Sequence, residues 1–241
     1  MKIKSSLLVV PLFFLIFNCG PDKSDGENVI KNSIYFHDPQ NNWSTFNDSL
    51  KIELQMADGT KRFSEIAINL PENYFSLNAT KDSTTSSFIV DGTKCILKLN
   101  GMENFSANDS LKHNMTCERA FRYKDYYEYL YGLPMKLMDR GTQIHSSESV
   151  TFKGKDYIKV NVSYDKNVGS DIWNFYFNPK NYALEAYQFY KTDETSGGII
   201  PDSGEYILLD ELTTISGIKI PKNRKWYYNK NGSFLGEDVL K

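Results

Sequence analysis

From residue 50 onward, apolar residues recur at every second position. Ile52, Leu54 and Met56 alternate with Lys51, Glu53 and Gln55, and beyond Asp58-Gly59 the residues Ser64, Ile66, Ile68 and Leu70 share a face opposite Glu65 and Asn69. A period of two interrupted by a turn dipeptide predicts a hairpin with one wet side. Further strands are expected at 72–79, 87–91 and 94–100, the last two joined by Asp91-Gly92. The pattern returns at Ile158, Val160, Val162 and Tyr164, and continues through 171–178, 182–191, 205–210, 213–220 and 225–229. Gly154, Asn178-Pro179, Ser196-Gly197-Gly198 and Asn231-Gly232 separate these runs, as turns do in an antiparallel meander.

Two segments break the alternation. Ile30, Ser33, Ile34 and His37 fall at helical spacing before Pro39, predicting a short first helix. Residues 117–131 have Thr116 as a candidate N-cap, Glu118 in the first turn, and Gly132 and Pro134 as a stop. Ala120, Tyr123, Tyr127 and Leu130 form one face of this second helix, which either covers one end of the sheet or acts as a lid, with Tyr123, Tyr127 and Leu130 as the lid residues. Trp173, Phe175 and Phe177 share one strand face, Tyr187 and Phe189 the next, and Trp226 a later one. Such a lining is either a solid core or the wall of an apolar cavity. The fold expected is mainly β (α+β): a curved antiparallel sheet forming an incomplete, half-open barrel, with one or two helices against its concave side.

The N-terminus has a different character. Lys2 and Lys4 precede an uncharged apolar run, residues 7–17 (LLVVPLFFLIF), of signal-peptide length and short for a bilayer span. Cys19 follows at the position of a diacylglycerol acceptor, with Gly20 beside it, although Asn18 departs from the usual lipobox. The expected organisation is a signal peptide at 1–18, a lipid-anchored flexible tether at 19–28 (GPDKSDGEN after Cys19), and a single β domain at 29–241. The expected location is the cell envelope, with the chain anchored to a bacterial membrane, the outer one, through lipidated Cys19.

Loss of the two signal lysines takes the formal net charge from −2 to −4, and no Lys/Arg block stands out, so nucleic acid is not an expected partner. Aromatic residues make up 14% of the chain, which suits an ordered core. Cys95 and Cys117 are the remaining cysteines, either paired or buried as free thiols. Neither has the neighbours of a metal site, and no metal or cofactor is expected. G-x-S-x-G, H-E-x-x-H, G-x-x-x-x-G-K-[ST] and G-x-G-x-x-G are all missing from the sequence, so the chain is read as non-enzymatic. His37-Asp38, before Pro39, reads as a turn-fixing pair or a ligand contact.

Residues 126–137 (YYEYLYGLPMKL), 204–209 (GEYILL), 217–229 (GIKIPKNRKWYYN) and Phe234-Leu235-Gly236 resemble a family of Bacteroidetes lipoproteins whose domain has no known function. The resemblance runs from about His37 to the end, and its GLP and IPK segments are the most specific. That family is similar to the LolA/LolB group of lipoprotein carriers, which implies an incomplete barrel with helices over an apolar cavity that receives acyl chains. A shared fold does not fix a function. The leading expectation is binding of a hydrophobic small molecule, lipid or acyl chain. Its competitors are a structural or partner-binding envelope protein with a filled core, and a glycan-acting hydrolase with two converging carboxylates.

Overall fold

The computed structural model describes residues 25–193 and 195–241. The signal segment, Cys19 and the first part of the expected tether lie outside the described residues. Positions 25–28 are not a linker, because helix α1 (Asp25–His37) begins with them. The Asp25 carboxylate accepts hydrogen bonds from the Ser147 backbone N–H (2.9 Å) and hydroxyl (3.1 Å). Gly26 packs so closely that a Cβ there would stand 2.0 Å from the His145 carbonyl oxygen. A polar, Gly-containing stretch thus reads as a tether while its backbone is docked on the sheet.

Among the described residues, twelve strands form one antiparallel sheet built from two meanders. The first comprises β1 (Asn47–Met56), β2 (Lys61–Asn69), β3 (Tyr74–Lys81), β4 (Thr84–Asp91) and β5 (Lys94–Leu99). The second begins with β6 (Thr142–Phe152), β7 (Lys155–Tyr164), β8 (Ile172–Phe177) and β9 (Leu184–Tyr190). It ends with β10 (Glu205–Ile215), β11 (Ile218–Tyr228) and β12 (Phe234–Leu240). β12 pairs with β1, setting Leu240 opposite Ile52 and Gly236 opposite Met56, so the two meanders join at the middle and β5 and β6 are left as the two edges. Register shifts at Ile144/Ser147, Tyr176/Phe177 and Trp226/Tyr227 mark bulges, which bend strands and tighten their twist. The sheet curves without closing.

This topology dictates where the helices lie. The chain leaves one edge at β5 and must re-enter at the other edge, β6, so residues 100–141 cross the whole width of the open side. They do so as α2 (Ala107–His113) and α3 (Cys117–Tyr131). Thr116 caps α3 by accepting from Arg119 N–H (3.2 Å), and Gly132 ends it. A Cβ on Gly132 would meet the Glu128 carbonyl oxygen and Trp43 at 2.5 Å, so only glycine fits there. Cys95 on β5 and Cys117 at the start of α3 form a disulfide with a Cα–Cα distance of 5.7 Å.

The core fills the concave face beneath α1 and α3. Phe75, Leu77, Phe88, Ile66, Ile68 and Leu50 pack at the β1–β4 end, and Val160, Val162, Phe175, Phe177 and Ile207 at the other. On the convex face Tyr157, Tyr176 and Ala186 form a small second cluster, in which Phe152 stacks on Tyr176 at 4.3 Å.

Two strand assignments differ from the sequence pattern. Residues 213–220 are not one strand: they straddle a tight turn at Ser216-Gly217, where both residues have positive φ (48° and 82°) and Ile215 pairs with Ile218. The gap expected after residue 210 lies inside β10, where Glu211 takes φ 52° and kinks a continuous strand.

His37 and Asp38 have structural work. Neutral His37 donates from Nδ1 to the Lys219 carbonyl (2.6 Å) and accepts at Nε2 from Leu184 N–H (3.0 Å), tying α1 to β11 and to β9. Asp38 accepts from the backbone N–H groups of Asn42 and Trp43, both at 2.8 Å, and so fixes the turn after α1. Burial, with the nearby Lys219 charge opposing protonation as well, lowers the His37 pKa to about 4. The unfolded chain titrates near 6.5 and so binds the proton first as pH falls. The stabilisation is therefore complete above pH 6.5 and is lost progressively as pH drops toward 4. By pH 5 it is reduced by about 2 kcal/mol. Urea titrations at pH 7 and pH 5 should show this loss in the native chain and a much smaller one in His37→Gln; equal losses in both would remove His37 as the cause.

Candidate functional site

Between α3 and the concave face lies an open cavity of about 630 Å³. Small-molecule sites usually fall between about 300 and 1,000 Å³ and are mostly apolar with a few polar groups. Of the six wall residues expected from the sequence, Trp173, Tyr187, Phe189 and Trp226 line this cavity. Phe175 and Phe177 do not. They share the Trp173 face but are fully buried and belong to the packed core, Phe175 stacking 5.9 Å from Trp173 and 6.2 Å from Tyr187. The half-barrel is thus filled toward one end and open at the other.

All three lid residues, Tyr123, Tyr127 and Leu130, line the cavity from the α3 side. The helix bridges the opening. Tyr123 packs on Phe88 of β4 (5.1 Å) and Tyr127 on Phe75 of β3 (6.2 Å). Tyr129 reaches the far wall, with its ring 5.7 Å from Trp173 and its hydroxyl on that of Tyr164. Spacings of four and three residues put Tyr123, Tyr127 and Leu130 on the inner side of the helix, while Tyr129, two residues beyond Tyr127, points to its flank and so reaches the other wall.

The floor carries charge that the sequence reading missed. Arg224, Asp238, Leu54 and Arg62 are successive cross-strand neighbours on β11, β12, β1 and β2. Arg224 is 2% exposed and Asp238 7%, so a buried carboxylate and a buried guanidinium are cross-strand neighbours, with the partly buried Arg62 two strands further along the row. Burial raises the Asp238 pKa, and Arg224 and Arg62 oppose that shift. Arg224 lies under the ring of Tyr131 (4.0 Å) and donates to the Pro221 carbonyl (3.0 Å). Arg62 donates to the Tyr127 hydroxyl (3.1 Å), whose pKa burial pushes up to about 12. The strand period could have revealed Arg62, which shares the face of Ser64, Ile66 and Ile68; Asp238 sits two residues before buried Leu240 on the same basis.

Asp171 and Glu205 also line the cavity, and burial raises the pKa of both. Glu205 pairs with Phe189 and Phe189 with Trp173, while Asp171 lies just before β8, two residues ahead of Trp173. Among the described residues, no group of three His, Cys, Asp or Glu side chains is arranged to hold a metal ion. No helix among them is long and apolar enough to cross a membrane.

The sequence profile of a family of unknown function, DUF6503, matches residues 5–240. The chain belongs to that family. Among curated proteins, none matches it. The DUF6503 chain is similar to the crystal structure of a LolA superfamily protein from Nitrosomonas europaea, over 91% of this chain and 92% of that one, with 10% identity and a TM-score of 0.52. At that identity the likeness concerns the fold, and it agrees with the curved, unclosed sheet seen here. A DUF1329 family protein from Desulfovibrio piger aligns over the same shares with 8% identity and a TM-score of 0.43, too distant to bear on the argument.

Proposed function

We propose that this DUF6503 protein is a non-enzymatic, lipid-anchored protein of the cell envelope that holds an apolar ligand, a lipid or acyl chain, beneath α3. The observation that carries this reading is the 630 Å³ cavity walled by Trp173, Tyr187, Phe189 and Trp226 and bridged by a helix. A filled half-barrel would instead favour a scaffold that binds partners on its surface. Burial of ligand surface at about 25 cal/mol per Å² supplies the driving force, offset by the loss of ligand freedom. The anchor follows from Lys2, Lys4, the apolar run and Cys19. If Cys19 carries the lipid, residues 19–24 reach at most about 20 Å. That would hold the α1 start, and with it edge strand β6, close to the membrane.

The test uses the chain with Cys19→Ala, purified without detergent from a bacterial envelope. Expected results are its release from the membrane fraction and a co-purifying lipid at unit stoichiometry by native mass spectrometry. Trp173→Asp, at the half-exposed cavity rim, should reduce lipid occupancy at least tenfold, because a carboxylate replaces apolar wall. A folded protein that emerges empty and takes up no fatty acid would overturn the binding reading.

A further inference from the structure

The main cavity does not end at α3. Arg62 and Tyr123 line it and also line a second pocket of about 290 Å³, on the β2–β4 side of the helix. There the chemistry changes. Lys81, His113 and Arg119 join Arg62 in the second pocket, against one carboxylate, Asp82. Arg119 is held by neutral acceptors: it donates to the Tyr123 hydroxyl from two nitrogens (2.6 and 3.1 Å) and to the carbonyls of His113 (3.2 Å) and Asn114 (3.4 Å). Its guanidinium also lies 5.0 Å from the Tyr123 ring centre.

Arg62 likewise donates to a neutral oxygen, that of Tyr127, and its Nε is buried with no hydrogen-bond partner among the described residues. The carboxylate that faces it across Leu54, Asp238, is shared with buried Arg224. Two guanidiniums therefore stand at the junction of an apolar cavity and a polar pocket with their charge under-compensated. The Tyr123 hydroxyl, which accepts twice from Arg119, keeps its own proton to donate. At the opposite rim two carboxylates, Asp171 and Glu205, lie near Trp173 and Phe189, with one lysine, Lys191, acting on both.

We infer that the ligand is an anionic amphiphile, its chain lying along Trp226, Phe189 and Trp173 and its phosphate or carboxylate head bound by Arg62, Arg119 and Lys81. This rests on the apolar-ligand reading above and adds the class and orientation of the ligand. Guanidiniums bind such oxygens through charge-assisted, often bidentate hydrogen bonds. The acidic rim disfavours the reverse orientation.

The experiment is equilibrium binding to the full chain carrying Cys19→Ala, read by tryptophan fluorescence and calorimetry, with dodecyl phosphate, dodecanol and inorganic phosphate as separate probes. Dodecyl phosphate should bind about tenfold or more tightly than dodecanol, the scale of one charge-assisted interaction. Arg62→Gln should bring dodecyl phosphate close to dodecanol and leave dodecanol unchanged, while Arg62→Lys retains part of the difference. Lys81→Gln, at an exposed position, gives a second variant that does not disturb the core. Equal binding of the two amphiphiles, insensitive to both variants, would overturn the head-group inference while the apolar-ligand reading stands. Failure of both amphiphiles to bind would sink both readings. Inorganic phosphate binding as tightly as dodecyl phosphate, and lost in Arg62→Gln, would make the pocket a free-anion site and overturn the amphiphile.

Discussion

Replacing Asp238 with leucine should destabilise the folded chain by about 1–3 kcal/mol, because it removes the opposing charge on the strand beside buried Arg224 and leaves that guanidinium less compensated. The prediction rests on what remains. Arg224, 2% exposed, cannot turn to water, whereas Arg62 donates to the Tyr127 hydroxyl at the cavity surface. Without the carboxylate, Arg224 keeps its bond to the Pro221 carbonyl and its place under Tyr131 but loses the opposing charge on the neighbouring strand. Asp238→Asn keeps the shape, and because burial raises the Asp238 pKa the loss of the charge itself should cost little at pH 7, so this variant should be the milder of the two. The companion measurement is the double variant Arg224→Met with Asp238→Leu. Replacing both members of a buried pair by apolar groups is often close to neutral, so the double variant should be more stable than Asp238→Leu alone. Losses that simply add in the double variant, measured by chemical denaturation, would show that the two charges are not coupled. Ligand binding offers an independent view, because an anion seated at Arg62 would take over part of the missing compensation. Asp238→Leu should therefore gain more thermal stability from dodecyl phosphate than the native chain does.

The architecture was legible where local signals agreed. Thr116, Glu118 and Gly132 mark a helix that the structure places at Cys117–Tyr131, and the alternation around Ile52 and Ile66 marks the β1–β2 hairpin. It was illegible where tertiary context overrides pattern. β12 contains Glu237 and Asp238, and a buried aspartate looks, in sequence, like a solvent-facing residue. β6 is a mostly exposed edge strand with little apolar alternation. α2 buries none of its residues, so its only sequence signal is the Ser106 cap, whose hydroxyl accepts from Asp109 N–H (3.0 Å). The candidate site divides in the same way. Aromatic periodicity finds the wall and the inner side of α3, but it cannot say where along a strand the core ends and the cavity begins. Phe175 and Phe177 fall on the filled side of that boundary for a reason that lies in packing. Strand period marks Arg62 and Asp238 as inward-facing one at a time, but the charged floor and the basic pocket draw on β2, β3, β11, β12 and the α2–α3 region together, and no single segment shows that these residues meet.

Reducing the Cys95–Cys117 bond should lower stability by about 3 kcal/mol, from the loop-closure entropy of a 22-residue separation. What matters for function is where the loss appears. Between the two cysteines lie the end of β5, a turn and α2; α2 buries no residue, so Met115, core-buried just before α3, is the main apolar anchor that stretch gives the start of the helix. The disulfide fastens that start to edge strand β5. Further along the helix, Phe88 and Phe75 receive Tyr123 and Tyr127, and Trp173 receives Tyr129, so the C-terminal half has anchors of its own. Removal of the bond should therefore loosen residues 107–120 before the rest. The Cys95→Ser/Cys117→Ser variant should show a lower melting temperature and faster hydrogen exchange in that stretch, with exchange in β10 and β11 changing only as far as global stability does. Because Arg119 sits in the loosened part, binding of an anionic amphiphile should weaken more than binding of a neutral one. A uniform rise in exchange, with both ligands affected alike, would mean that α3 opens and closes with the sheet as one unit. In that case access to the cavity would require partial unfolding of the barrel, and the helix would not serve as a separable lid.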